Sequence, residues 1–299
     1  MPVISIINRK GGSGKSTVAT HVAAWLSHAG HAVMLGDVDR QQSSVRWLRR
    51  RQAQCVGGEP IVGWALDPQY VMRPPKGVSH AVLDTPGGLH GFELNRLLGQ
   101  ADLVIVPVCD AFFDRDSAGD CVAELLHHPR VASGRVKLGV VGVRVDLTPE
   151  SESRMRAWAA EQGVPYLGSL PTDPNYERSA ELGLTLFDRP DADSVGMLVH
   201  WQPVLNWLQQ ALVEVEAVKL LAVVRASRPV IDTHALRSSL QPRDSTPVQA
   251  NVPTAPPPRA SSRPRAEPAK PGQGFCGLLR RLLPDLLQSH AVPPRSGMH

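Results

Sequence analysis

Asn8-Arg9-Lys10-Gly11-Gly12-Ser13-Gly14-Lys15-Ser16-Thr17 joins an apolar run, Val3-Ile4-Ser5-Ile6-Ile7, to a segment with helical periodicity, Val18 to Ala29. The apolar run reads as a buried strand. In the second segment Val18, Val22, Trp25, Leu26 and Ala29 share one face, and Gly30 stands where a helix C-cap falls. A glycine-rich turn between strand and helix presents a row of backbone N–H groups at a helix N-terminus, where the dipole also favours anions. The stretch is therefore a phosphate cradle. Lys15 adds a mobile positive charge, and the Ser16 hydroxyl is placed to ligate Mg2+.

The general phosphate-loop pattern is Gly, four residues, then Gly-Lys-Ser/Thr. Gly14-Lys15-Ser16 supplies its end, but its first glycine falls on Arg9. Lys10-Gly11-Gly12 stands there instead, with a second lysine. Lys-Gly-Gly-x-x-x-Ser/Thr, with a lysine before the Ser/Thr, resembles the deviant Walker A motif of the ParA/MinD family of dimeric ATPases.

Two acidic strand ends follow. His31 to Gly36 reads as a second strand and runs into Asp37-Val38-Asp39-Arg40-Gln41. Carboxylates at the C-terminal end of a parallel strand face the crevice where ligands bind, and Asp37 and Asp39, two apart, share a face. The same residues also suit an Asx-type turn with Ser43 capping the next helix, about Ser44 to Arg51. Ala81-Val82-Leu83-Asp84 is an apolar strand ending in a carboxylate, the Walker B arrangement. Thr85-Pro86-Gly87-Gly88 after it reads as a second switch.

Further strands are expected at Ile61–Trp64, Leu103–Val108, Val136–Val145 and Val164–Gly168. Helices are expected at 90–99, from about Ser117 to His127, at Pro149–Glu161 and from Ser194 to about Ala226. In the last, Trp201, Val204, Leu205, Leu208 and Leu212 read as core contacts onto the sheet. Alternating strands and helices give an α/β fold: a doubly wound, mostly parallel sheet with helices on both faces, over residues 1–226.

Charge is unevenly divided along the 299 residues. Residues 227–299 hold ten Lys/Arg and four Asp/Glu; the rest therefore hold 32 − 10 = 22 basic and 28 − 4 = 24 acidic residues. The body is nearly neutral, so a nucleic-acid surface there must be a local patch. Residues 227–272, with ten prolines, read as a disordered, mildly cationic linker. In 273–299, apolar residues at 275, 278, 279, 282, 283, 286 and 287 oppose Arg280 and Arg281, the pattern of a short amphipathic helix over 274–287, with Pro284 interrupting it. That helix suits a membrane surface, a protein partner or its own domain. Cys55, Cys109, Cys121 and Cys276 form no Cys-x-x-Cys, so free thiols are expected. No leader or membrane span is legible, and the expected location is cytoplasmic, nucleoid-associated or peripheral to a membrane.

The resemblance covers roughly residues 1–210, and Asp-x-Asp-x-Gln after strand two is closer to ParA than to MinD. It implies ATP and Mg2+ as cofactors. Lys10, Gly11, Gly12, Ser13, Gly14, Lys15, Ser16 and Thr17 would bind ATP, with Arg144 and Pro171 near the adenine. Ser16, and Asp84 through water, would hold Mg2+, with Asp37 supporting the metal shell or the switch. Asp39 would orient the attacking water, and Arg40 replaces the proline usual in that loop. Lys15 would neutralise the β- and γ-phosphates, and Lys10 would reach the phosphates of the facing subunit of an ATP-bound homodimer. The implied role is partition or positioning of a plasmid, chromosome region or protein cargo, through non-specific DNA binding and a ParB-like adaptor that stimulates slow hydrolysis. Candidate DNA contacts are Arg46, Arg49, Arg50, Arg154, Arg156 and Arg178, with Arg51 on the same basic helix. The alternative is a MinD-like membrane-surface ATPase using 274–287. Iron–sulfur carriers of the wider superfamily need paired cysteines, which the sequence lacks.

Overall fold

A computed structural model describes residues 1–65, 75–189 and 191–226. The chain divides into two units, Met1–Arg228 and Pro229–His299. The linker and the amphipathic segment 274–287 lie outside the described residues.

Seven strands form one parallel sheet: β1 (Val3–Ile6), β2 (Val33–Asp37), β3 (Ile61–Ala65), β4 (His80–Asp84), β5 (Leu103–Val108), β6 (Lys137–Val143) and β7 (Tyr166–Leu170). Their order is β3-β2-β4-β1-β5-β6-β7, and every pairing is parallel. Because side chains alternate across a strand, each strand feeds two cores. Val3 and Ile7 enter one, Ile4 and Ile6 the other; Val104 and Val106 divide from Leu103 and Ile105 in the same way. Such strands, covered on both sides, are apolar throughout rather than alternating.

The helices fall into two layers. On one face lie α3 (Gly91–Gln100), α4 (Phe112–His127), the single turn α5 (Pro129–Ala132) and α6 (Pro149–Glu161). On the other lie α1 (Lys15–His28), α2 (Ser43–Arg51), α7 (Pro174–Glu181) and α8 (Ala192–Ala226), joined by a 3-10 turn at Leu186–Asp188. Fully buried Trp201 of α8 stacks on His21 of α1, ring centroids 5.0 Å apart and 4° from parallel. No described helix is long and apolar enough to cross a membrane.

α1 is bounded by glycines at both ends. At its start Gly14 has φ 87°, and a Cβ there would lie 2.8 Å from Val143 Cγ1, so backbone conformation and close approach both require glycine. At its end Gly30 has φ 85°; its N–H donates to Ser27 O and that of His31 to Leu26 O, which closes the helix with the paired bonds of a Schellman motif.

Five elements differ from the sequence reading. α4 begins at Phe112 rather than near Ser117, because its first turn points Phe112 and Phe113 outward and its apolar periodicity starts only at Ala118. α5 and α7 were not expected. α7 carries its own start signal, Asp173 accepting from Asn175 N–H at 2.7 Å with Pro174 next, but too few apolar residues to register as a period. β7 runs two residues further along the chain than expected. Ser43 is not the cap of α2: it occupies the first helical position, and buried Asp37 caps the helix from the end of β2.

Candidate functional site

The sheet order places β1 between β4 and β5, so the chain leaves β1 at the point where strand order reverses, where open α/β sheets bind ligands. A cleft of about 700 Å3 opens there, lined by Gly11 to Val18, Asp39, Gln41, Ser43, Thr85 to Gly87, Arg144 and the segment Leu170 to Asp173. Asn8 anchors the base of the loop by donating to Pro107 O at 2.7 Å. On the other side Gly88 N–H donates to Arg9 O at 2.6 Å. A Cβ on Gly87 would come within 3.3 Å of Arg9 O, so the segment after β4 lies directly on the loop.

The two lysines point to different places. Lys15 is buried in the cradle, its Nζ 2.9 Å from Lys10 O. Burial lowers its pKa, and the nearby Asp84 and Asp39 carboxylates oppose that shift. Lys10 turns outward, its Nζ 2.8 Å from Asp114 Oδ1 in the first turn of α4. Arg9 pairs with Glu124 further along α4, and Glu124 also accepts from Gly91 N–H at 3.3 Å. Sequence reasoning missed both α4 acids: it began that helix too late to place Asp114 beside the loop, and no local pattern pairs Glu124 with Arg9.

Three carboxylates gather at the ends of β2 and β4. Asp37 accepts from the N–H groups of Asp39 (3.0 Å), Ser44 (2.9 Å) and Val45 (3.1 Å). Burial raises its pKa against those donors. Asp39 is half-buried, lines the cleft, and accepts from Gln41 N–H at 2.9 Å. Arg40 is exposed. Asp84 lies opposite Asp37 in the β2–β4 register and is 1% exposed. Its Oδ2 accepts from Ser44 Oγ at 2.6 Å, and the neighbouring Ser16 hydroxyl favours the charged carboxylate. Its Oδ1 is buried and has no partner among the described residues. Burial pushes its pKa up to about 6.

A buried carboxylate with one bare oxygen beside a serine hydroxyl suits a hard cation that brings its own water ligands. No cluster of three or more His, Cys, Asp or Glu that would hold a metal by itself occurs among the described residues. The donors present therefore fit Mg2+ carried in with phosphates better than a resident protein-only metal.

Arg144 and Pro171 both line the cleft. Arg144 adopts φ 57° and donates to Gly12 O and, at 3.1 Å, to Cys109 Sγ, so its guanidinium lies against the phosphate loop. The six candidate DNA arginines do not form one patch. Arg46, Arg49 and Arg50 are exposed on α2, and Arg178 on α7, which packs on α2. Arg154 and Arg156 lie on α6, on the other face and at the other edge of the sheet. There Arg154 pairs with Asp110, and Arg156 lies over the Tyr166 ring. Arg51 is no surface residue. It is buried, stacked on Trp47, and bonded through both terminal nitrogens to Asp188 at 2.7 Å. Its spacing from Trp47 and Leu48 puts it on the apolar face of α2, a signal the sequence already carried.

Comparison with known proteins agrees with this geometry. The sequence model of the CobQ/CobB/MinD/ParA nucleotide binding domain matches residues 4–186. Maintenance of carboxysome distribution protein A of Gloeobacter kilaueensis is 29% identical over 192 residues, 62% of this chain and 83% of that protein. Cytosolic Fe-S cluster assembly factor NUBP2 of Bos taurus is 28% identical over 243 residues, 64% of this chain and 86% of the other. Among solved structures, an ATP complex of a Cyanothece McdA variant superposes with TM-score 0.56 at 15% identity, covering 71% of this chain and 96% of that one. At that identity the superposition speaks for the fold alone. With the family's domain matched over more than half of this chain and the phosphate loop at the point where strand order reverses, the chain belongs to the CobQ/CobB/MinD/ParA nucleotide-binding family.

Proposed function

We propose that the chain is a dimerising ATPase switch that positions or partitions a cargo by binding non-specific DNA in its ATP state. The observation that carries this reading is the outward course of Lys10. Lys15 already occupies the cradle, whereas Lys10 leaves it and ends on Asp114 at an intermediate-to-exposed position. A lysine placed there serves a facing subunit better than its own phosphates.

In this reading the backbone N–H groups of Gly11 to Ser16 cradle the phosphates, and Thr17 contacts the α-phosphate. Lys15 neutralises charge on the β- and γ-phosphates, which a loose phosphoryl transition state requires. Ser16 and, through water, Asp84, whose Oδ1 is bare, would hold Mg2+. Mg2+ held there would supply charge neutralisation at the phosphates. Asp39, at the mouth of the cleft, orients the attacking water, and Asp37 holds the start of α2 by its backbone N–H groups. Arg144 braces the loop through Gly12 O. Lys10 enters the partner's site, hydrolysis separates the subunits, and a ParB-like adaptor accelerates that step.

The Fe-S assembly relative suggests a rival activity. Against it stand a sequence without paired cysteines and three described thiols of which only Cys55 is exposed. The test is light scattering of the full chain with ATP, followed by DNA and liposome co-sedimentation of the full chain and of a chain ending at 272. ATP-dependent dimers that pellet with DNA in both forms support the proposal. Liposome binding lost on truncation, with no DNA binding at all, would replace DNA by a membrane surface.

A further inference from the structure

Ser44 is fully buried at the second position of α2 and touches both acids at the ends of the central strands. Its backbone N–H donates to Asp37 Oδ2 at 2.9 Å, and its Oγ donates to Asp84 Oδ2 at 2.6 Å. These contacts do separate things. The helix start is fixed by Asp37 through the N–H groups of Ser44 and Val45, and that cap needs no side chain at 44. The hydroxyl is therefore free to act on Asp84.

Its effect there is geometric. With Oδ2 held by Ser44, the Asp84 carboxylate keeps a fixed plane, and Oδ1 stays buried without a partner among the described residues. A bare buried acceptor is unfavourable unless a donor arrives with a ligand. We infer that Ser44 is the positioning residue that sets the Asp84 carboxylate for the nucleotide-bound cation and ties that carboxylate to α2. The inference rests on the reading of Asp84 as the Mg2+ carboxylate. It adds the route by which an occupied metal site reaches the helix that carries Arg46, Arg49 and Arg50.

The test uses the full chain, a fluorescent ATP analogue at equilibrium in EDTA and across a Mg2+ titration, and hydrogen exchange of residues 43–51. In the wild type, Mg2+ tightens nucleotide binding and slows exchange in 43–51. Ser44→Ala keeps its affinity in EDTA within about twofold, needs roughly tenfold more Mg2+ for half-effect, and loses the Mg2+-dependent slowing of exchange. Unchanged Mg2+ dependence in Ser44→Ala would overturn the inference. So would equal weakening in EDTA and in Mg2+, which is the mark of a residue that only supports the scaffold. If Ser44→Ala does not melt like the wild type, the near-isosteric Ser44→Cys is judged by the same two readouts. Failure of the wild type to bind the analogue would overturn the nucleotide reading and this inference with it. Normal wild-type behaviour with an unchanged variant would overturn this inference alone.

Discussion

Lys10 Nζ and Asp114 Oδ1 lie 2.8 Å apart, so the lysine on the outer limb of the phosphate loop is held by the first turn of α4. Arg9 is held by Glu124 of the same helix, so α4 retains both basic residues of that limb. A lysine that must cross to a facing subunit has to leave this contact. The pair is partly exposed, so its strength is modest, about 0.2–1 kcal/mol. Asp114→Asn should therefore lower the ATP concentration needed for half-maximal dimerisation by up to about five-fold, as read by light scattering. Lys10→Ala should abolish ATP-dependent dimerisation and leave nucleotide affinity of the monomer nearly unchanged. A Lys10→Ala protein that still dimerises would remove the role proposed for this residue.

Asp188 ties three elements together. Its carboxylate receives Arg51 from the end of α2, His28 from the end of α1, and the Thr185 N–H and hydroxyl of its own turn. Burial disfavours its charge, but the bonds from His28 and Arg51 overcome that and hold it well below the usual carboxylate range. Asp188→Asn leaves Arg51 buried without its anion, and loss of one partner from a buried pair costs about 3–5 kcal/mol. Urea denaturation should show that loss with an unchanged slope. A change below about 1 kcal/mol would mean that Arg51 finds another partner or solvent.

What could be read from the sequence follows from how each feature is encoded. β1, β4 and β5 are continuous apolar runs, and their strand assignment needed no partner. The loop at 8–17 is a local motif, so its place between strand and helix was equally legible. The contacts that organise the site were not. Ser44 to Asp84, Lys10 to Asp114 and Arg51 to Asp188 join residues 40, 104 and 137 positions apart, and no periodicity reports such pairings. α7 was missed for the opposite reason: its start signal is local, but few of its eight residues are apolar. The arginines show the limit most clearly, because charge pattern alone grouped residues that the fold sends to opposite faces of the sheet.

Protonation of His21 should loosen α8. Its Nδ1 lies 2.8 Å from Thr17 O and its Nε2 is 3.4 Å from Leu186 N–H, which assigns the proton to Nδ1 of a neutral ring. Burial lowers its pKa from 6.5 to about 4, opposed by the Thr17 carbonyl. The unfolded chain thus binds a proton between those values that the native state refuses. This contribution is present above about pH 6.5 and is lost as pH falls toward 4, by about 3 kcal/mol in all. Asp84 acts in the opposite sense: raised to about 6, it stabilises the acidic native state and loses that contribution as pH rises through 6. His21→Gln should flatten the fall in stability between pH 6.5 and 4, whereas Asp84→Asn should steepen it. Parallel profiles for wild type and His21→Gln would show that the imidazole does not govern acid stability.

The division of the arginines makes DNA binding testable residue by residue. Arg49 and Arg50 on α2 and Arg178 on the adjoining α7 are exposed, without an acidic partner among the described residues, and share one face. Arg154 is committed to Asp110, which Arg115 also holds, and Arg156 covers Tyr166 beside Glu152. A phosphate contact releases counterions, so each such arginine adds about 0.9 to the slope of log affinity against log salt for duplex DNA. If DNA binds the α2–α7 face, Arg49→Ala, Arg50→Ala and Arg178→Ala should each weaken ATP-state binding and reduce that slope by about one. Arg154→Ala and Arg156→Ala should leave the slope unchanged. The reverse pattern would move the interface to the α6 face. A slope that no single substitution alters would place the DNA contacts on neither face.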